Sequence, residues 1–379
     1  MRAAALLALL GLPLRAAAAP ARTVQIGIVQ GSRSLTLVPQ AAYVLVEPSG
    51  VRWEVAPGQE YRVLPVSAAR VRFGAWRVAA DSRLEPGSPS ATVKVDGGRY
   101  AGSLIVRANV DGTVSLVDEL PVEDYLKGVL AEEMEPDWPL ESLKAQAVVA
   151  RTYTYYNLDR FRSDGFDLGP DTRSQVYKGV GRESAAILKA VASTKDEVLG
   201  FDGKLLSAYY HSSCGGHTTS PSSVWGKWVE SPRPLKGVKD RYCHAGPHAK
   251  WTAYFADADI MAAVTDQVLG VVSIDSLSVG KRDPAGFVED FRVYAGGRSK
   301  ISAKEFRRRL GAKELKSLKI LRIVRRSRGV EFVGSGMGHG VGLCQWGARI
   351  QAEKGRGYEE ILSYYFPGSV LSVVSGKSP

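Results

Sequence analysis

The stretch from Pro121 to Tyr156 constrains the fold most, because it predicts two helices joined at a Glu-Pro-Asp-Trp-Pro elbow. Apolar residues recur at helical spacing along the first helix, and they mark the face expected to pack on the core: Val122, Tyr125, Leu126 and Val129. Continuing the helix places Glu133 within about 20° of Val122. Burial would raise the pKa of that carboxyl group, which suits a general acid near neutral pH. The alternative is a helix that frays before Met134 and leaves Glu133 in solvent.

The second predicted helix begins near Trp138-Pro139 and carries Arg151 on its apolar stripe, eleven residues after Leu140. An inward arginine that follows an inward glutamate indicates a buried polar cluster, and Gln146 lies close to the same stripe. A structural salt bridge is the alternative interpretation of this pair.

The first 19 residues combine a basic start, a short apolar run and an Ala-rich end, which predicts a secretory signal peptide cleaved after Ala19. We therefore expect an exported protein of the periplasm or cell envelope, without a transmembrane segment after cleavage. The formal net charge of +11 comes from scattered Lys and Arg residues. In an exported protein this charge favours an acidic envelope polymer as partner, and we predict no nucleic-acid partner.

The chain has three cysteines, Cys214, Cys243 and Cys344. An oxidising compartment and loop-like surroundings predict a disulfide between Cys214 and Cys243, with Cys344 as a small buried residue. The alternative is a zinc site, possible ligands of which are His211, Cys214, His217 and Cys243. Their spacing matches neither a zinc ribbon nor a zinc finger, and the prediction is a protein without a cofactor.

Short β-branched runs separated by turn residues fill the chain from Thr23 to Val117, and helical patterns follow. This order predicts an α+β fold, with an N-terminal β-rich region followed by a mixed α/β core. The expected division is a signal peptide at 1–19, a β-rich region at 20–118, a core at 119–370 and a tail at 371–379. An auxiliary segment is expected within the core, at about 250–330.

Several catalytic templates are absent from the sequence. No Gly-x-Ser-x-Gly elbow occurs, and the Gly334 to Gly342 run is not followed by the Lys-Ser/Thr of a phosphate loop. A carboxylate-led mechanism remains, and glycoside chemistry usually needs two carboxylates. Lytic transglycosylation needs only one, because the C6 hydroxyl of the muramic acid closes onto its own anomeric carbon.

Four blocks of sequence, in this order, resemble the SpoIID/LytB family: GVLAEEMEPDWPLESLKAQAVVARTY, SQVYKGV, AYYHSSCGGHT with SVWG, and GSGMGHGVGLCQWGA with YEEILSYYFPG. The resemblance implies a core of this family that acts on peptidoglycan. It implies a lytic transglycosylase that cleaves MurNAc–GlcNAc bonds in glycan strands stripped of stem peptides, leaving 1,6-anhydro-muramyl ends. The family's catalytic glutamate precedes Met in the first block, which is Glu133 here.

The resemblance also implies other site residues and a second possible function. The expected substrate-binding residues, from the matched blocks and the helix pattern, are Gln146, Arg151, Tyr177, His211, Ser212, His339 and Gln345. Sporulation-type members carry zinc-binding cysteines before Gln-x-Tyr, whereas Gly169 and Ser174 stand in that stretch here. The second function that the family implies is a non-catalytic, glycan-binding enhancer of an N-acetylmuramoyl-L-alanine amidase. The candidate zinc ligands leave a third alternative open, a zinc-dependent envelope hydrolase that uses His211, Cys214 and His217.

Overall fold

The computed structural model describes residues 22–264, 274–295 and 297–374. The α+β prediction is confirmed, because a β-rich N-terminal region precedes most of the helices. The predicted signal peptide and the last five residues of the predicted tail lie outside the described residues.

The N-terminal region consists of short antiparallel strands. They are β1 (Thr23–Ser32), β2 (Leu35–Pro39), β3 (Tyr43–Val46), β4 (Arg52–Val55), β5 (Tyr61–Ser67), β6 (Arg70–Phe73), β7 (Trp76–Ala79), β8 (Ser82–Pro86), β9 (Thr92–Val95), β10 (Gly98–Ala101), β11 (Ser103–Ala108) and β12 (Val114–Pro121). One sheet has the order β1-β12-β11-β8-β3-β4, and the other has the order β10-β9-β2-β5-β6-β7. Alternating side chains of both sheets enter one hydrophobic core.

The central helices follow the last of these strands directly. Helix α1 (Val122–Glu133) begins after β12, and α2 (Leu140–Tyr156) begins after Pro139. Helix α1 ends at Glu133, and the backbone of Met134 is extended, because the residue after Met134 precedes Pro136 and is disfavoured in helical conformation. The predicted apolar stripe of α1 is buried, and it joins the same core as the β strands. The β region thus forms a platform that fixes both helices.

The second part of the core surrounds the other side of α2. Its elements are α3 (Ala185–Ser193), β13 (Glu197–Phe201), β14 (Lys204–Leu205), β15 (Tyr210–His211), α4 (Pro221–Trp225), β22 (Leu343–Cys344), α7 (Gln345–Glu353), α8 (Tyr358–Tyr365) and β23 (Val370–Val373). Strands β15 and β22 pair in parallel although more than 130 residues separate them in sequence. This pairing brings the third and fourth sequence blocks together.

An auxiliary segment lies between these two blocks in sequence and has a hydrophobic cluster of its own, extending from Trp251 to Phe332. Its elements are β16 (Trp251–Ala256), α5 (Asp257–Val264), β17 (Ser276–Val279), β18 (Asp290–Tyr294), β19 (Arg298–Ser302), α6 (Ala303–Leu310), β20 (Ile320–Arg326) and β21 (Gly329–Gly334). Across the described parts of the chain, no helix combines the length and the apolar character that crossing a membrane requires.

Candidate active site

Glu133 is the last residue of α1, and its carboxyl group is partly buried at the junction of three chain segments. The backbone N–H of Val176 donates a hydrogen bond of 2.8 Å to Glu133 Oε1. The Tyr210 hydroxyl also hydrogen-bonds this carboxyl group. Gln345 Nε2 donates to the backbone carbonyl of Glu133 at 3.1 Å and so binds the end of α1 to the start of α7.

Glu132 and Glu133 occupy opposite electrostatic surroundings. Burial raises the pKa of Glu133, although the hydrogen bonds from Val176 and Tyr210 oppose the shift. Burial would also raise the pKa of Glu132, but Lys178 and Arg182 bind its carboxylate at 2.5 and 2.6 Å and lower the pKa instead. Adjacent carboxyl groups with opposite pKa shifts are typical of acid–base sites, and Glu133 is the one suited to carry a proton.

A buried polar network supports Tyr210. Its hydroxyl lies 3.3 Å from Gln175 Oε1, and the Gln175 amide donates to Thr154 at 3.0 Å and to Tyr125 at 3.4 Å. Neither Gln175 nor Tyr210 was among the predicted site residues. The available signal was their position in the matched blocks, since Gln175 lies two residues before Tyr177 and Tyr210 directly precedes His211.

The parallel pairing of β15 with β22 brings His211, His339 and Gln345 beside Tyr210. The imidazole centroids of His211 and His339 are 5.5 Å apart. His211 Nδ1 lies 3.0 Å from the Val341 carbonyl, so it carries a proton and donates it, while His339 Nδ1 accepts from Val341 N–H. These three residues were predicted as substrate-binding residues, and the structure brings them into one region.

Both histidines are neutral at pH 7. Burial lowers the pKa of His211 to about 4 and that of His339 to about 3. A weakly basic imidazole is a poor proton donor or acceptor near neutral pH, so these rings can position a ligand through neutral hydrogen bonds. This leaves Glu133 as the group of the cluster whose pKa moves toward neutrality.

Gln146 is fully buried, and within the described part of the chain neither atom of its amide group has a hydrogen-bond partner. His211 Nε2 is also buried without a partner among the described residues. Buried polar atoms are normally satisfied, so these atoms are candidates for contacts with water or a ligand. Ser212 is partly buried beside His211, and its carbonyl accepts from Trp346 N–H at 3.0 Å.

The structure does not support substrate contacts by Arg151 and Tyr177. Arg151 has no exposed side-chain surface, and its guanidinium binds both carboxylate oxygens of Glu123 at 2.7 and 2.8 Å. The structural salt bridge is therefore the interpretation that fits Arg151, with Glu123 rather than Glu133 as its partner. Tyr177 is buried, and its hydroxyl donates to Asp118 at 2.9 Å.

The predicted disulfide is wrong in this structure. All three cysteines are free thiols, and the Sγ atoms of Cys214 and Cys243 lie 3.5 Å apart. The four residues of the alternative zinc site are not brought together as a set either, because His211 and His217 each face a backbone carbonyl. Instead, Cys344 and Asp240 join the other two thiols in one buried group.

Several known proteins are similar in sequence to most of this chain. An uncharacterized protein of Brachyspira hyodysenteriae is 35% identical over 275 residues, which are 72% of each chain. Residues 110–201 match the family model described as Stage II sporulation protein, SpoIID. The chain belongs to the SpoIID/LytB family.

Two further SpoIID/LytB relatives carry functional names. The amidase enhancer of Bacillus subtilis is 30% identical over 75% of this chain, and the match spans only 46% of the enhancer's length. Stage II sporulation protein D of Bacillus subtilis is 29% identical over 68% of this chain and 76% of its own. The family match includes Glu133, Arg151 and Tyr177, whereas Tyr210, His211, His339 and Gln345 lie beyond it.

Proposed function

We propose that this protein is a lytic transglycosylase of the cell envelope that cleaves MurNAc–GlcNAc bonds in glycan strands without stem peptides. The observation that carries the proposal is the partly buried Glu133. Its pKa is raised by burial, a backbone N–H orients it, and no cation is bound to it among the described residues. A second carboxylate is not needed, because the attacking group belongs to the substrate.

The proposed reaction uses Glu133 twice. Its carboxyl group donates a proton to the glycosidic oxygen as the bond to the muramic C1 breaks. The C6 hydroxyl of the same sugar then bonds to C1, and the Glu133 carboxylate accepts the hydroxyl proton. The products are a 1,6-anhydro-muramyl end and a free GlcNAc hydroxyl, and Glu133 is protonated again without the use of water.

A cavity of about 500 Å³ supports a polysaccharide substrate. Trp225 contributes to its lining and also contacts His339 in a tilted arrangement, with ring centroids 5.2 Å apart, so the cavity starts beside the candidate active site. Lys227, Lys304 and the ion pair of Lys281 with Glu289, 2.7 Å long, also line it, so two of the three ammonium groups have no carboxylate of the same lining as partner. An indole face and ammonium groups suit sugar rings that carry lactyl carboxylates, which removal of the stem peptides exposes. We accordingly propose export to the envelope as the setting of the reaction.

The test is product analysis after incubation of purified protein with stem-peptide-free glycan strands. Mass spectrometry is expected to find 1,6-anhydro-muramyl ends. These ends are lighter than the reducing ends produced by hydrolysis by one water, about 18 mass units. Reducing muramic ends would contradict transglycosylation and indicate a hydrolase.

The second candidate function is enhancement of a cell-wall amidase without catalysis. The observation that favours it is the likeness to the amidase enhancer of Bacillus subtilis. Peptidoglycan binding without product, together with faster stem-peptide release by an added N-acetylmuramoyl-L-alanine amidase, would favour this function. The same measurements with Glu133→Gln would then give unchanged values.

A further inference from the structure

Four potential metal ligands converge from distant parts of the chain beside the candidate active site. Cys214 lies in the glycine-rich loop after β15, and Cys344 is the last residue of β22. Asp240 lies shortly before the 3₁₀ turn Cys243–Ala245, which begins with Cys243. Their ligand atoms all lie within 4.8 Å of one another, and all four residues are buried. A buried group of three thiols and a carboxyl group has no role in the proposed sugar chemistry.

The distances fit a shared metal ion better than a disulfide. The Sγ atoms of Cys214 and Cys243 are 3.5 Å apart, whereas a disulfide requires about 2.05 Å. Two sulfurs bound at about 2.3 Å to a tetrahedral zinc ion are about 3.7 Å apart. The separation of 3.3 Å between Cys214 Sγ and Asp240 Oδ2 is also close to that expected for a sulfur and an oxygen on one such ion.

The surroundings resemble those of bound thiolates. Gly216 N–H donates to Cys243 Sγ at 3.1 Å, and Cys214 N–H donates to Cys344 Sγ at 3.3 Å. The Asp240 carboxylate is fixed from two sides, since Tyr365 O–H donates to Oδ2 at 2.9 Å and Tyr242 N–H donates to Oδ1 at 2.8 Å. Outer hydrogen bonds of this kind orient metal ligands and stabilise their negative charge.

One close backbone approach also favours a built site. Gly347 lies in the first turn of α7, and a Cβ atom there would overlap with Asp240 Oδ2 and with the Tyr365 hydroxyl. Glycine at this position therefore lets the helix approach the carboxylate. The group thus depends on a defined backbone position in addition to its four side chains.

We propose that Cys214, Asp240, Cys243 and Cys344 form a structural zinc site. Three thiolates select a soft or borderline metal such as Zn²⁺, and four protein ligands complete a tetrahedral shell without a position for water. The ion joins the loop of Cys214, the turn of Cys243 and the start of α7. It thereby fixes Gln345, which contacts Glu133, and His211, which pairs with Cys344 across the two strands.

The test is metal analysis of the full-length protein purified without chelators. Elemental analysis is expected to find one zinc per chain, and a mercurial that modifies thiols should release it. Cobalt reconstitution should give the intense sulfur-to-cobalt charge-transfer absorption of a tetrahedral thiolate site. This readout needs neither a variant nor catalytic activity, so failure of the proposed function would leave it intact.

Variants then assign the ligands. Cys243→Ser and Asp240→Asn should each reduce bound zinc at equal protein concentration, while His217→Ala, the matched control outside the group, should retain one equivalent. If Cys243→Ser does not fold, the cobalt spectrum of the unmodified chain decides. Metal-free protein with a Cys214–Cys243 disulfide in its peptide map would overturn the proposal, as would zinc that is lost in His217→Ala and kept in Asp240→Asn.

Discussion

Glu133 differs from its neighbour Glu132 in the partners that its carboxyl group binds. Glu132 is bound to two cations, whereas Glu133 is bound to a backbone N–H and the Tyr210 hydroxyl. The periodicity of α1 predicted which of the two points inward. It could not predict the donors, because Val176 and Tyr210 lie more than 40 residues away in sequence.

Tyr210→Phe is expected to alter the pH dependence of cleavage. The Tyr210 hydroxyl stabilises the charged form of Glu133, so removing it should raise the pKa of Glu133 further. A general acid is active while protonated, and the falling limb of the rate should therefore move to higher pH.

The measurement is the rate of anhydro-product formation between pH 4 and about 9, a range that spans the unperturbed and strongly raised pKa values of Glu. Tyr209→Phe, which replaces the neighbouring hydroxyl, should leave the limb in place. A limb that moves to lower pH in Tyr210→Phe would contradict the assignment of Glu133 as the acid.

Arg151→Met tests the structural role of the buried ion pair. Losing the guanidinium leaves Glu123 without its partner, and the free energy of unfolding in urea should fall by about 3 kcal/mol. The KM for denuded strands, measured on the folded fraction, should not change. Adding Glu123→Gln should recover part of the stability. A raised KM at unchanged stability would instead make Arg151 a substrate contact.

At the scale of single elements, α1 connects the β platform to the catalytic carboxyl group. Its start is fixed by β12, and its end is fixed by the Gln345 amide and the loop that carries Val176. Gly128 lies midway and faces this loop, because a Cβ there would overlap with the Gly179 carbonyl and lie 2.6 Å from Tyr177 Cε2.

Gly128→Ala should therefore destabilise the protein, although alanine normally favours a helix over glycine by about 1 kcal/mol. We expect a net loss of about 1–3 kcal/mol from the steric conflict, and a lower kcat because the loop moves Val176 away from Glu133. Urea denaturation and single-variant kinetics measure both effects. Lys127→Ala, at a partly exposed position of the same helix, is the control, and equal behaviour of the two variants would refute the close contact.

Local patterns predicted most elements of the core. The strands from Thr23 onward, both helices of the opening stretch and the elbow between them were all foreseen. Helix α7 was missed because a glycine-rich run precedes it, and such a run carries no helical periodicity. Tyr177 was predicted as a site residue and Gln175 was not, although both side chains are buried. Sequence alone does not show that Tyr177 faces Asp118 while Gln175 faces Tyr210.

At the scale of the whole molecule, contacts between distant segments create the features that no local pattern could predict. The cysteine group needs Cys214, Cys243 and Cys344 to meet, and this depends on the parallel pairing of β15 with β22. Loop-like surroundings predicted a pair of two thiols, Cys214 and Cys243, without the third. Asp240 carried no signal of its own, because an isolated Asp in a loop is common.

Asp118 links the β platform to the core and makes stability depend on pH. Burial raises its pKa to about 8, against the opposing hydrogen bond from Tyr177. A carboxyl group with a raised pKa in the folded state contributes stability below its unfolded pKa, near 3.8, and this contribution is lost as pH rises to about 8.

Asp118→Asn removes this pH dependence because the amide does not ionise. The free energy of unfolding of the variant, relative to that of the unmodified protein, should therefore increase from pH 5 to pH 8. The expected increase is about 1.4 kcal/mol per pH unit, which amounts to several kcal/mol at most over this range. Urea denaturation at both values measures it. Asp124→Asn, at a partly exposed position of α1, is the control variant, and a pH-independent difference for Asp118→Asn would contradict a protonated Asp118.

The central claim is that Glu133 is the single acid and base of a lytic transglycosylase, and one measurement tests it most directly. Denuded glycan strands are incubated with the unmodified protein, Glu133→Gln and Glu132→Gln, and the new ends are identified by mass spectrometry. We predict 1,6-anhydro-muramyl ends from the unmodified protein and from Glu132→Gln, and a loss of at least about 100-fold for Glu133→Gln. Anhydro ends produced at an unchanged rate by Glu133→Gln would contradict the claim.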